Sequence, residues 1–147
     1  MLLLLALAAC STTSTIHQPI PPQATGVHGY AYSFENSGGD DLEGIARLDR
    51  MIHARLLIAG LVAATGEPSA GRVEIELTHY YLRSNTARFL AGILAGRDKI
   101  VSQVKVFDET GKLLGSFETE TTNLSAGGST EGLMEKHADE IVARLKG

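Results

Sequence analysis

Val73-Glu74-Ile75-Glu76-Leu77-Thr78-His79-Tyr80-Tyr81 alternates apolar and polar residues with a period of two. Successive side chains of an extended backbone point to opposite faces, so Val73, Ile75 and Leu77 share one face and Glu74, Glu76 and Thr78 the other. A strand buried on one side only belongs in an antiparallel sheet covered on a single face. Downstream, Ile100–Phe107 and Leu113–Thr121 read as two more strands. Asp108-Glu109-Thr110-Gly111-Lys112 joins them as a hairpin turn, with Gly111 placed for positive φ. Upstream, Val27–Phe34 reads as a strand through its alternating Tyr30, Tyr32 and Phe34.

Two helices complete the pattern. Asp40 followed by Glu43 resembles a capping box, opening a helix from about Asp41 to Ala59. Ile45, Leu48, Ile52, Leu56 and Ala59 follow its three–four spacing, and Gly60 and Gly66-Glu67-Pro68 end it. Near the C-terminus, Ser129 or Thr130 can cap a second helix with Leu133, His137, Ile141 and Leu145 on one stripe. The order β-α-β-β-β-α predicts an α+β fold: an antiparallel sheet of about four strands with both helices on one face.

The N-terminus carries a different kind of signal. Met1-Leu-Leu-Leu-Leu-Ala-Leu-Ala-Ala-Cys10-Ser11 holds the one cysteine of the chain. Leu7-Ala8-Ala9-Cys10 resembles the lipobox of bacterial lipoproteins. That resemblance implies a lipid on the Cys10 thiol and cleavage just before it, although no Lys or Arg precedes the leucines as a signal's n-region would require. On this reading residues 1–9 are a signal peptide and residues 10–25 a lipidated cysteine with a flexible tether. Residues 26–147 form a single α+β periplasmic domain. The tether, polar and Pro-rich, would reach at most roughly 45 Å at ~3.1 Å per residue. Ser11 after the cysteine implies, by the same family resemblance, export to the outer membrane.

Composition excludes several functions. Formal net charge is −4, so no basic field recruits nucleic acid. Aromatics make up 5 % and Trp is absent, which leaves few stacking platforms for sugars or bases. With Cys10 consumed by lipid, no thiol remains for disulfides, redox work or a thiolate metal site.

The segment Arg88-Phe89-Leu90-Ala91-Gly92-Ile93-Leu94-Ala95-Gly96-Arg97 is the most unusual internal stretch. Gly92 and Gly96 stand four apart, so one helical face would be free of bulk and open to close approach by another backbone. Phe89, Leu90, Gly92, Ile93 and Gly96 are therefore candidates for contact with a membrane or partner; the competing reading is a short buried helix completing the core. The Arg88-Phe89, Gly92 and Gly96 pattern, with Val104-Lys105-Val106-Phe107-Asp108 and Thr110-Gly111-Lys112-Leu113-Leu114-Gly115, resembles a group of uncharacterised bacterial lipoproteins known only by a domain of unknown function. The resemblance covers roughly Val73–Phe117. It implies a small periplasmic α+β domain with no assigned reaction and no catalytic residue to carry over.

No catalytic constellation emerges. His28, His53, His79 and His137 are scattered, without the spacing of a metal site. Gly-x-Ser-x-Gly is absent, and Gly96-Arg97-Asp98-Lys99 lacks the features of a phosphate-binding loop. Asp40, Asp41 and Glu43 are explained by a helix cap, and Glu74 and Glu76 by a solvated face. The expectation is a non-enzymatic, lipid-anchored outer-membrane lipoprotein, without cofactor or metal, that binds or scaffolds an envelope protein partner. Two alternatives stand beside it: a small-ligand or lipid-binding module with a pocket between sheet and helices, and a hydrolase with a site assembled from remote residues.

Overall fold

The computed structural model describes residues 10–22, 29–83, 97–123 and 129–147. Five strands form one sheet: β1 (Cys10–Gln18), β2 (Ala31–Asn36), β3 (Arg72–Tyr81), β4 (Asp98–Phe107) and β5 (Leu113–Asn123). Two helices, α1 (Leu42–Ile58) and α2 (Thr130–Lys146), accompany it. The spatial order is β1-β5-β4-β3-β2. β1, β5, β4 and β3 pair antiparallel, whereas β2 joins β3 in parallel.

The class expected from sequence holds, and the sheet differs from expectation in two ways. It has five strands, and one pair is parallel. The parallel pair follows from the connection: α1 carries the chain from the end of β2 back to the start of β3, the crossover that parallel neighbours need. The fifth strand comes from residues read as a tether. Cys10–Gln18 pairs with β5 from Cys10↔Asn123 to Gln18↔Ser116, so the flexible part of that segment does not begin at Cys10. Its Ser/Thr residues give no apolar alternation to read, yet they suit a polar sheet edge. Ser14 Oγ lies 3.0 Å from Thr119 Oγ1 and donates to Glu140 Oε1 at 2.7 Å. Gln18 Nε2 donates to the Leu114 carbonyl at 2.9 Å.

The strand expected at Val27–Phe34 is displaced: β2 begins at Ala31 and runs to Asn36, with Tyr30 bridging to Val62, and residues 23–28 lie outside the described residues. β4 and β5 extend two residues beyond the expected bounds, to Asp98 and Asn123.

The core is a single layer between sheet and helices. Ile45, Leu48, Ile52 and Leu56 from α1 meet Val73, Ile75 and Leu77 of β3 and Ile100, Val104 and Val106 of β4. α2 contributes Leu133, Met134, Ala138 and Ile141. Each large side chain removed from water in this layer contributes roughly 1.5–3 kcal/mol before entropy is counted. α1 is capped by Asp41, whose side chain accepts from Gly44 N at 3.0 Å, one residue later than the expected Asp40 box. Ser129 caps α2 in the same way through Gly132 N. The helices join across their exposed flanks through Arg47–Glu131 and Arg55–Asp139.

The β4–β5 turn is built as the sequence implies. Asp108 Oδ1 accepts from Thr110 N, Thr110 Oγ1 and Lys112 N, and Gly111 has φ +86°. These bonds, that from Thr110 Oγ1 foremost, hold the Asp108 carboxyl below its ordinary pKa. Gly71, entering β3, is more constrained: its φ is +124°, and an added Cβ would overlap the Phe107 carbonyl oxygen. Gly71→Ala is expected to lose about 1–3 kcal/mol from the backbone conformation alone, visible as a lowered midpoint in thermal unfolding.

Candidate functional site

The register places the residues of interest by end and by face. Cys10 pairs with Asn123, Asn123 pairs with Asp98, and Lys99 beside it pairs with Tyr81. One end of the sheet therefore gathers the start of β1, the end of β5, the start of β4 and the end of β3. Asn36, the end of β2, lies toward the same end. Phe89, Leu90, Gly92, Ile93 and Gly96 fall within residues 84–96, outside the described residues. The chain departs for them after Arg83 and returns at Arg97, so both stems leave from this Cys10 end.

A buried ion pair joins those stems. Asp98 Oδ1 accepts from the Arg83 backbone N–H at 2.7 Å and from Arg83 Nε at 3.2 Å. The two side chains are 3 % and 0 % exposed, which makes this a sealed contact rather than a surface pair. By contrast Lys99–Glu120, one residue along, is open to solvent and contributes little.

Beneath α2 the sheet face turns polar. Ser102, Thr119, Thr121 and Asn123 are buried there, with His137 of α2 set among them. His137 Nε2 lies 2.8 Å from Ser102 Oγ, and Nδ1 lies 2.9 Å from Thr121 Oγ1. A neutral imidazole satisfies both hydroxyls, accepting from one and donating to the other. Burial pushes its pKa down to about 3, with Glu140 opposing. Ser102 and His137 make a serine–histidine contact, but both are 0 % exposed and Thr121 occupies the ring nitrogen that an orienting carboxylate would need. The geometry is that of a buried structural network.

The other histidines go elsewhere. His53 stacks on Tyr32 with ring centroids 4.4 Å apart, and the Tyr32 hydroxyl donates to Asp49 Oδ1 at 2.7 Å. Burial first, and then Asp49, keeps that hydroxyl protonated. His79 sits at the β3–β4 irregularity, His17 is exposed on β1, and His28 lies outside the described residues. Among the described residues no cluster of three potential metal ligands occurs. Asp41 caps α1 and Glu43 lies in its first turn, with Asp40 just before the cap. Glu74 is bound by Arg72 at 2.7 Å and Glu76 by Ser37 at 2.8 Å, on the uncovered face.

The space between sheet and helices, where a ligand pocket was one expectation, is filled by Leu48, Ile52, Leu56, Ile75, Leu77 and Ile100. Described grooves lie instead at the periphery. One of about 190 Å³ runs between β1 and the end of α2, lined by Ile16, Ile20, Phe117 and Ala143 among others. Another of about 440 Å³ lies between the last turns of the two helices, beside the 88 % exposed Ile58. No described helix is long and apolar enough to cross a membrane.

Both outer strands of the sheet, β1 and β2, have one edge without a described strand beside it. Sequence reasoning missed the β1 edge entirely. The available signal was the match of Thr12 and Ser14 to Thr121 and Thr119, which becomes visible only once the pairing is known.

This fold defines a small two-layer α+β domain with an apolar core and a buried polar cluster around His137. A family model described as a domain of unknown function (DUF4410) matches residues 45–127, more than half of the chain, and the chain belongs to that family. Among curated proteins none matches. Two solved structures share the fold: a leucine-to-methionine variant of PelC from Paraburkholderia phytofirmans, described as a dodecamer, and a second PelC dodecamer from the same organism. The first has a TM-score of 0.62 at 11 % identity, covering 94 % of this chain and 98 % of that one. The second has a TM-score of 0.59 at 10 % identity with the same coverage. At such identity the likeness concerns the fold.

Proposed function

We propose that this protein is a lipid-anchored, non-enzymatic component of the bacterial outer membrane, facing the periplasm and acting as a scaffold or assembly accessory for an envelope protein partner. The observation that carries the reading is that Cys10 of the Leu7-Ala8-Ala9-Cys10 motif is itself paired in the sheet, opposite Asn123. A lipid on Cys10 would then emerge at the sheet's end, and the domain would rest against the membrane with no 15-residue tether between them. Residues 84–96, carrying Phe89, Leu90, Ile93 and Leu94, are joined to the body at that same end, and in this orientation their stems face the bilayer. The sealed Ser102–His137 contact supports a binding role over a hydrolytic one. Solved proteins of this fold are described as dodecamers, and a ring of anchored copies is a natural scaffold.

The test is incorporation of labelled palmitate with membrane fractionation, comparing the natural chain with Cys10→Ser. The expected result is label and outer-membrane location in the first and neither in the second. An unlabelled, soluble natural chain would overturn the anchor.

A further inference from the structure

β1 and β2 end the sheet on opposite sides, and they run in opposite directions. Following the order β1-β5-β4-β3-β2, direction reverses at each of three antiparallel pairings and is kept at the parallel one. Two copies set side by side in the same orientation therefore bring β1 of one against β2 of the next as an antiparallel pair, the arrangement that continues this sheet.

Both edges are chemically open to such pairing. Cys10–Gln18 contains no Pro, Lys, Arg, Asp or Glu, the residues that usually guard an exposed edge. Just before β2, the Tyr30 N–H donates to Leu61 O and the Tyr30 C=O accepts from Ala63 N, so Leu61–Ala63 takes the edge there and marks the side away from β3. Backbone alternation then turns the N–H and C=O groups of Tyr32, Phe34 and Asn36 to that outer side as well.

The rungs agree in height and in face. Ile16 pairs with Phe117, Phe117 with Val104, Val104 with Ile75, and Ile75 with Phe34. Ile16 and Phe34 are thus level and both lie on the helix-covered face. Ile16 is 53 % exposed, and covering it against Phe34 of a neighbour would remove apolar surface from water. One rung away, Thr15 is level with Glu35 on the open face, through Glu118, Gln103 and Glu76.

We propose that the chain assembles with copies of itself head to tail, the β1 edge of one copy pairing antiparallel with the β2 edge of the next, Ile16 covering Phe34. The choice of a head-to-tail contact rests on the anchored reading above. An antiparallel two-fold of β1 on β1 would send the two Cys10 residues to opposite ends, and both could not enter one membrane. The head-to-tail contact keeps every Cys10 at the same end, and such a contact closes into a ring or propagates as a filament.

The experiment uses the full-length chain carrying Thr15→Cys and Glu35→Cys together, in membranes of a Gram-negative host. A short bis-maleimide reagent is applied, and palmitate label is followed in parallel. A ladder of multimers from the double variant, absent from either single variant and from the parent, is the expected result. A labelled double variant that yields no ladder overturns the pairing and leaves the anchor standing. Dimers from Thr15→Cys alone overturn it in favour of a two-fold. A ladder without label supports the pairing while removing the anchor. As an independent measure, Ile16→Lys should sediment as a monomer with the melting temperature of the natural monomer, because the side chain is half exposed; retention of the natural assembly size would overturn the role given to Ile16.

Discussion

Asp98→Ala is expected to destabilise the fold by about 3–5 kcal/mol, the range for removing one partner of a buried ion pair. The carboxylate accepts from both the backbone and the guanidinium of Arg83, and neither residue has access to bulk water. Its loss removes that carboxylate from a buried guanidinium at the point where residues 84–96 leave and rejoin the sheet. Asp98→Asn retains an acceptor for the Arg83 N–H and should lose visibly less. Chemical denaturation read by circular dichroism checks both; for a domain of this size the alanine variant should melt roughly 10 °C or more below the natural chain. A loss within ±0.5 kcal/mol, the size of an ordinary surface substitution, would mean that the pair is not sealed.

The second large effect concerns His137. His137→Leu strips the partner from two buried hydroxyls, Ser102 and Thr121. Each such loss costs about 1–3 kcal/mol, so a destabilisation of about 2–6 kcal/mol is expected at pH 7. The pH dependence separates this from a packing defect. The folded His137 has its pKa lowered to about 3 from an ordinary 6.5. Above pH 6.5 both folded and unfolded states are neutral there, and the full stability is present. As pH falls through 6.5 towards 3 the unfolded chain takes up a proton that the folded one refuses, and stability declines by at most about 1.4 kcal/mol per pH unit. Glu140 is the other titratable group facing this network. Its bonds from Ser14 and Arg144 outweigh its partial burial and lower its pKa, so it adds a further loss only within the carboxylate range. Between pH 6.5 and 5 the natural chain should therefore show a decline in stability from which the His137→Leu variant has lost one proton's contribution. Parallel slopes in the two proteins would refute the assignment.

These two sites mark where the sequence was hard to read. Val73–Tyr81, the α1 stripe and the Asp108–Lys112 turn carry their structure in local periodicity or turn chemistry, and each forms nearly where expected. β1 carries no such mark: Ser11-Thr12-Thr13-Ser14-Thr15 has no apolar face, because the surface it meets is the polar stretch Thr119–Asn123 under α2. The parallel placing of β2 depends on its lying directly beside β3, a neighbourhood that the local pattern of neither strand encodes. His137 was legible as a packed residue on an apolar stripe. Its partners were not, since Ser102 and Thr121 arrive from two strands that read as ordinary amphipathic ones. Arg83 and Asp98 meet only because the chain leaves and rejoins the same end of the sheet, a juxtaposition that no spacing rule encodes.

The most direct test of the central claim is the intact mass of the chain extracted in detergent from the membranes of a Gram-negative host. The anchored account predicts a species that begins at Cys10 and carries the added mass of its acyl chains, with the same end of the sheet facing the bilayer. A species of unmodified mass, retaining residues 1–9 or lacking acyl groups on Cys10, would contradict it.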